Sequence, residues 1–325
     1  MNVRRHQRRA IVGLVAAIVA MGSLPAAAAT YVLPSGSDTL IGAVQHVVAQ
    51  HEVTLLDIGR RHGVGYEEIV AANPGVDPWL PGEGTHVLIP SQYILPDAPR
   101  EGVVVSLAEH RLYYFPPAKA DEPLVVKTYP ISIGKMDWKT PLGLTRIINK
   151  RERPTWYPPE SVRREHELEG RPLPRAVPPG PDNPLGEYAM RLDIPGGAYL
   201  IHGTNRPAGV GMQVTHGCIR MFPEDVEEFF KLVPVNTRVR MIDEPYKMGW
   251  HGEELYIEVH SPLEGQNDDR SHSLTNITRL LVSATQDRTV AIDWARAEKA
   301  FILANGVPEP VVLGGETTVQ ASSSH

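Results

Sequence analysis

The chain's single cysteine sits in a short constellation with two histidines. Ile201-His202-Gly203-Thr204 is followed, 11 residues on, by His216-Gly217-Cys218-Ile219-Arg220. A cysteine attacks as its thiolate, scarce at neutral pH, so it needs a nearby base. It also needs backbone N–H groups aimed at the oxyanion that forms on the attacked carbonyl. Thr215-His216-Gly217-Cys218 has the makings of both: the glycine allows a tight turn, so that successive amides converge beside the sulfur. His202, at the end of an expected strand, is placed to be the base.

Three other readings compete with thiol acyl transfer. Cys218 could be a core thiol, although a core thiol has no need of a His-Gly turn before it. His202, His216 and Cys218 could bind zinc, although no second cysteine or acidic ligand recurs at helical spacing. A papain-like protease places cysteine before histidine, and here histidine comes first. Acyl transfer leads, with metal binding and a structural thiol left open.

Composition narrows the setting. The 325 residues are 42% hydrophobic and 22% charged, which suits a globular chain of one to two domains and excludes a wholly disordered one. Thirty prolines and 28 glycines with 6% aromatics point to short strands and many turns. The formal net charge is −6, but Arg4, Arg5, Arg8 and Arg9 lie in the first 29 residues, without which 28 basic residues face 38 acidic ones. That balance argues against nucleic acid as a partner. The same four arginines precede an apolar stretch, Ala10 to Leu24, then Pro25 and Ala26-Ala27-Ala28-Ala29. This is the pattern of a cleavable export signal over 1–29, cut after Ala28 or Ala29, and too short for a membrane span. An exported chain with one cysteine forms no internal disulfide, which makes Cys218 either inert or reactive.

The elements around the constellation fall into blocks. After a linker, 30–45, residues 46–90 read as strand, helix, helix, strand. The helices are expected around Leu55–Ile58 and over Tyr66 to Ala72, the latter stopped by Asn73-Pro74. Short apolar alternations then follow at 102–107, 111–115, 124–133, 144–149, 199–201 and 238–242, arguing for a β-sandwich or barrel. One helix follows the cysteine, with Pro223 at its first position, Glu224 and Asp225 in its first turn, and Val226, Phe229 and Phe230 as an apolar stripe. Beyond residue 244 a strand at 255–259 and two helical stretches read as a helical appendage, 244–313. The second helix, about 290–305, is expected to end at Gly306. Residues 314–325 read as a disordered tail.

Residues 101–243 resemble the L,D-transpeptidase catalytic domain (YkuD type). The likeness rests on Thr215-His216-Gly217-Cys218 with the upstream His202-Gly203, on Pro130-Ile131-Ser132-Ile133-Gly134, Thr140-Pro141-Leu142-Gly143 and Pro154-Thr155-Trp156, and on Gly180-Pro181-Asp182-Asn183-Pro184-Leu185-Gly186. Residues 46–90 resemble a LysM glycan-binding module through Gly63-Val64, Glu67-Glu68-Ile69, Ala72-Asn73-Pro74-Gly75-Val76-Asp77 and Val87-Leu88-Ile89-Pro90. They depart from it at Glu52-Val53-Thr54-Leu55, where the family has Gly-Asp-Thr-Leu.

The resemblance implies a mainly β catalytic domain with a short helix after the cysteine, a small βααβ module and a periplasmic location. It implies Cys218 as nucleophile, His202 as base oriented by the Gly203 carbonyl, and an oxyanion hole from amides around His216, Gly217 and Cys218. Arg220, Thr215, Tyr188 and Trp156 are the expected substrate contacts, with core packing the competing role for Tyr188 and Trp156. The implied donor is a peptidoglycan tetrapeptide stem, cleaved between meso-diaminopimelate and D-alanine through a thioester. The acceptor would be a second stem, an outer-membrane lipoprotein lysine, or water, with glycan strands held by the module. No metal or organic cofactor is implied, and carbapenems are the implied inhibitors. A non-catalytic glycan-binding scaffold and a metal-dependent hydrolase remain the rival classes.

Overall fold

The computed structural model describes residues 29–33, 38–117, 122–196, 199–263 and 273–313. The expected export signal and C-terminal tail lie outside these residues, apart from Ala29. In chain order the elements begin with β1 Ala29–Val32, β2 Leu40–Gly42 and β3 Gln45–Val48, followed by α1 Leu55–Arg61, α2 Tyr66–Ala72, β4 His86–Ile89 and β5 Gln92–Ile94. Next come β6 Gly102–Ser106, β7 Arg111–Phe115, β8 Val125–Gly134, β9 Gly143–Glu152, α3 Glu160–Leu168, β10 Tyr188–Leu192, β11 Leu200–His202, β12 Gln213–Thr215 and β13 Ile219–Met221. The chain continues with α4 Pro223–Leu232, β14 Arg238–Ile242, β15 Tyr246–His251, β16 Glu254–Val259, α5 Leu274–Ala284, α6 Trp294–Leu303 and β17 Glu309–Pro310.

The main sheet closes on itself. Its order is β8-β13-β11-β10-β9-β14-β6-β7, and β7 pairs back onto β8, making a barrel-like ring with β1 and β12 added along β8. Leu112, Tyr129, Ile131, Ile147, Met190 and Ile201 fill the interior, sealed by Phe229 of α4. The alternate residues of β6 and β7, Val104, Tyr113 and Phe115, point the other way and pack under Ile41, Tyr93 and Leu95. These strands are covered on both faces, so they read as continuous apolar runs.

The stretch expected to be a linker, 30–45, is instead structural. β1 pairs antiparallel with β8, Ala29 opposite Thr128, and β2 pairs with β5. Its mixed composition hid two strands that find their partners only at long range. The C-terminal region is not simply helical either: β15, β16 and β17 form a three-stranded sheet on which α5 and α6 pack through Ile277, Leu281, Ala297 and Ala300. Its last helix ends at Ala304, which itself adopts the left-handed cap (φ 41°), not at Gly306.

Residues 45–89 form the strand–helix–helix–strand unit, β3 antiparallel to β4 around Leu55, Ile69 and Val87. Thr54 and Asp57 cap α1 reciprocally, at 3.0 and 3.1 Å. The unit is docked on the barrel. The Tyr66 and Glu67 amides, in the otherwise unpaired first turn of α2, donate to the Val210 and Gly211 carbonyls (3.1 and 3.2 Å). A fully buried Arg111 reaches Glu68 (2.6 Å), Thr128 (2.9 Å) and the Gly63 carbonyl (3.0 Å), and stacks over Tyr93. The C-terminal region is tied in similarly, by Lys247 buried between Glu109 (3.0 Å) and Glu258 (2.7 Å). Among the described residues no helix is long and apolar enough to cross a membrane.

Candidate active site

A parallel strand pair builds the site. β11 and β13 run side by side with Ile201 opposite Ile219 and His202 opposite Arg220. Cys218 immediately precedes β13, so this register brings the sulfur to the strand that ends in His202, 16 residues earlier in the chain. Both side chains line a cavity of about 590 Å³, together with Thr215, His216, Arg220 and Trp156. Tyr188 does not line it. Its ring packs on Phe230 (centroids 4.9 Å) against the barrel core, so the expectation of a substrate contact there is corrected. Strand β10 pairs Ala189 with His202, and alternation turns the neighbouring Tyr188 to the opposite face.

The tautomer of His202 is settled by its partner. Nδ1 lies 2.6 Å from the Gly203 carbonyl oxygen. A carbonyl only accepts, so Nδ1 carries the proton and Nε2 is left with its lone pair. Burial, reinforced by the Arg220 charge and opposed by the Gly203 hydrogen bond, pushes His202 down to about 3. Burial likewise raises the Cys218 thiol, against smaller lowering effects of a Leu200 main-chain hydrogen bond and of Arg220. Both shifts favour neutral forms. Burial thus favours thiol over thiolate at Cys218 and imidazole over imidazolium at His202.

The turn that carries the sulfur is held from three sides. Thr215 Oγ1 donates to the Cys218 carbonyl at 2.6 Å. Gly217 has φ +92°, and a Cβ there would meet Tyr199 Cε1 at 2.9 Å, so only glycine fits. Thr140 Oγ1 accepts from the Gly134 amide (2.9 Å) and donates to the Gly217 carbonyl (3.2 Å). His216 Nε2 meets Glu165 of α3 at 2.7 Å, and the other Glu165 oxygen meets Lys135 at 2.6 Å. Among the described residues Arg220 Nε is buried without a hydrogen-bond partner, and Arg206 joins it in the cavity wall.

The zinc reading finds no support in this geometry. Among the described residues the group of ligand atoms within 4.8 Å of one another is Glu109, Glu258 and His260. It lies away from Cys218, and the Lys247 ammonium already bridges its two carboxylates.

Comparison with known proteins decides the family. The L,D-transpeptidase catalytic domain (YkuD) matches residues 100–241. "Probable L,D-transpeptidase YcfS" of Escherichia coli (strain K12) is 44% identical over 259 residues, 78% of this chain and 79% of the relative. This chain belongs to the L,D-transpeptidases. Two further relatives from the same strain are the "Probable L,D-transpeptidase ErfK/SrfK", 38% identical over 88% of this chain and 92% of the relative, and the "Probable L,D-transpeptidase YbiS", 43% identical over 73% and 77%.

Four residues of this L,D-transpeptidase site escape a reading of the sequence. Thr140 stood in a quoted motif, but nothing local shows that its hydroxyl reaches residue 217. Lys135 and Arg206 are ordinary charged loop residues until the fold places them. Glu165 sits on α3, whose sequence Glu-Ser-Val-Arg-Arg-Glu-His-Glu-Leu buries only Val162 and so carries no apolar stripe to announce a helix.

Proposed function

We propose that this protein is a peptidoglycan L,D-transpeptidase in which Cys218 is the nucleophile and His202 the general base. The observation that carries the reading is that Cys218 and a buried His202, its Nδ1–H tied to the Gly203 carbonyl, line one cavity from adjacent strands. Nε2 takes the thiol proton as Sγ bonds to the carbonyl carbon at the L-centre of meso-diaminopimelate. The resulting oxyanion accepts from main-chain amides of the His216–Cys218 turn. His202 then returns the proton to the departing amine of D-alanine, and the tetrahedral adduct collapses to a thioester. An acceptor amine attacks, loses its proton to Nε2, and expels the thiol. Arg220 and Arg206 supply positive charge for a substrate carboxylate, and Trp156 lines the groove.

Residues 1–29 act as an export signal to the periplasm, and a chain cut after Ala28 keeps the whole of β1. Residues 101–243 are the catalytic domain, with 244–313 as an appendage buttressing it. Residues 46–90 act as a LysM module that holds glycan strands and raises their concentration near Cys218. Its strand–helix–helix–strand order supports this reading. The acceptor is a second stem or a lipoprotein lysine.

The test is intact-protein mass after carbapenem treatment, with peptide mapping, run beside turnover of defined disaccharide-tetrapeptides. The unsubstituted protein gains one adduct at Cys218, and Cys218→Ala loses adduct and turnover while melting as before. An adduct at another residue, or turnover surviving in Cys218→Ala, refutes the assignment. Product masses separate cross-linked dimer from the tripeptide that water would give.

A further inference from the structure

We propose that Glu165 is a positioning residue of the reaction centre, acting through His216 to hold the Thr215–Cys218 turn with its amides toward the developing oxyanion. The inference rests on Cys218 being the nucleophile.

Both oxygens of the Glu165 carboxylate are committed. Oε2 meets His216 Nε2 at 2.7 Å and Oε1 meets Lys135 Nζ at 2.6 Å. Lys135 is itself joined to the turn, its main-chain amide donating to the Thr215 carbonyl at 2.9 Å. Lys135, Glu165, His216 and Thr215 therefore close a ring around the base of the turn. The edge of Trp138 meets the His216 ring as well, with centroids 5.3 Å apart and planes at 63°. The imidazole is thus pinned by a carboxylate and by an aromatic ring.

The chemistry of the pair is one-directional. Hydrogen bonds from Lys135, then from His216, hold the Glu165 carboxyl down to about 2. It is a carboxylate at any working pH and can only accept, so His216 Nε2 carries a proton whether or not the ring is charged. The next residue is Gly217, whose φ of +92° no other residue adopts comfortably. A small rotation of His216 is therefore passed directly to the Gly217 amide. The helix that carries Glu165 has little else to fasten it, since Val162 is its one buried residue. Ser161, Val162 and His166 of the same helix line the cavity, so a plain wall is the competing role. A wall affects how substrate sits, whereas a positioning residue affects how fast the thiol is acylated.

Two reactions of Cys218 in the full-length chain tell these apart. Acylation by a carbapenem passes through an oxyanion; alkylation by iodoacetamide does not. Glu165→Ala is expected to slow acylation about 10-fold, the scale of a small misplacement of a catalytic group, with alkylation unchanged within about twofold. Glu165→Gln, whose amide oxygen still accepts from His216, recovers most of the rate. In a His216→Ala background, adding Glu165→Ala costs nothing more, because the two act as a unit. Unchanged acylation in Glu165→Ala overturns the proposal. So does an equal loss in both reactions, or a full further loss on top of His216→Ala. No adduct at Cys218 in the unsubstituted protein overturns the nucleophile reading itself, a distinguishable failure.

Discussion

Thr140→Val is the sharpest test of how the proposed catalytic turn, Thr215–Cys218, is held. Valine matches threonine in shape, so the substitution removes a hydroxyl and little else. That hydroxyl joins the Gly134 amide, at 2.9 Å, to the Gly217 carbonyl, at 3.2 Å, and the residue is 6% exposed. Space is too tight for water to replace it: a Cβ on Gly134 would stand 2.0 Å from the Trp138 carbonyl oxygen and 3.0 Å from the Gly217 Cα. Two main-chain groups are left unsatisfied, each costing about 1–3 kcal/mol, so the loss is about 2–6 kcal/mol. At about 1.5 °C per kcal/mol for a cooperatively melting chain of 325 residues, Tm falls by roughly 3–9 °C. Carbapenem acylation slows further, by about 10- to 100-fold, because Gly217 is freed within the turn that offers amides to the oxyanion. Thr140→Ser keeps the hydroxyl, loses one methyl at about 0.8 kcal/mol, and stays near wild type in rate. The assays are a thermal melt and time-resolved intact mass below the melting range. If Thr140→Val acylates at the wild-type rate, or Thr140→Ser is equally slow, the hydroxyl does not hold the turn.

Three other outcomes are expected. Arg111→Leu strands the Glu68 carboxyl at the interface between the 45–89 unit and the barrel, costing about 3–5 kcal/mol. Glu68→Leu/Arg111→Leu recovers much of that, and equal denaturation midpoints for the single variant and wild type would refute a structural pair. Asp225 is buried in the first turn of α4 and raised from 3.8 to about 8. Its raised folded value makes the protein lose stability as pH climbs from about 4 to about 8, so the advantage of Asp225→Asn over wild type grows across that window and then levels off. A constant difference in urea midpoint from pH 4 to 9 would count against it. Iodoacetamide alkylation of Cys218 keeps accelerating above pH 9, since burial raises the thiol; a plateau reached by pH 7 would show a resting thiolate–imidazolium pair instead.

Much of the proposed chemistry was legible in the chain because its warrants are local. A histidine and glycine before a lone cysteine, with a second His-Gly upstream, imply a turn and a base whatever the fold around them. Helix α4 was legible for the same reason, since Pro223, two acidic residues and the Val226–Phe229–Phe230 stripe are all within one helix. The strands over 102–106, 111–115 and 238–242 were marked by apolar runs, and α1 and α2 by their periodicity and the Asn73-Pro74 stop.

What the tertiary structure alone decided depends on long-range partners. β1 and β2 are strands because β8 and β5 lie beside them, which no feature of residues 29–42 announces. Tyr188 faces Phe230 and not the cavity because of the phase of β10, and a one-residue change of register would have reversed it. The burial that favours neutral forms of His202 and Cys218 is a property of everything packed above the site. Thr140, Lys135 and Glu165 reach the Thr215–Cys218 turn from 77, 80 and 51 residues away in sequence. Local sequence sets which chemistry is available at Cys218; closure of the sheet and the laying down of α3 set the distances at which it operates.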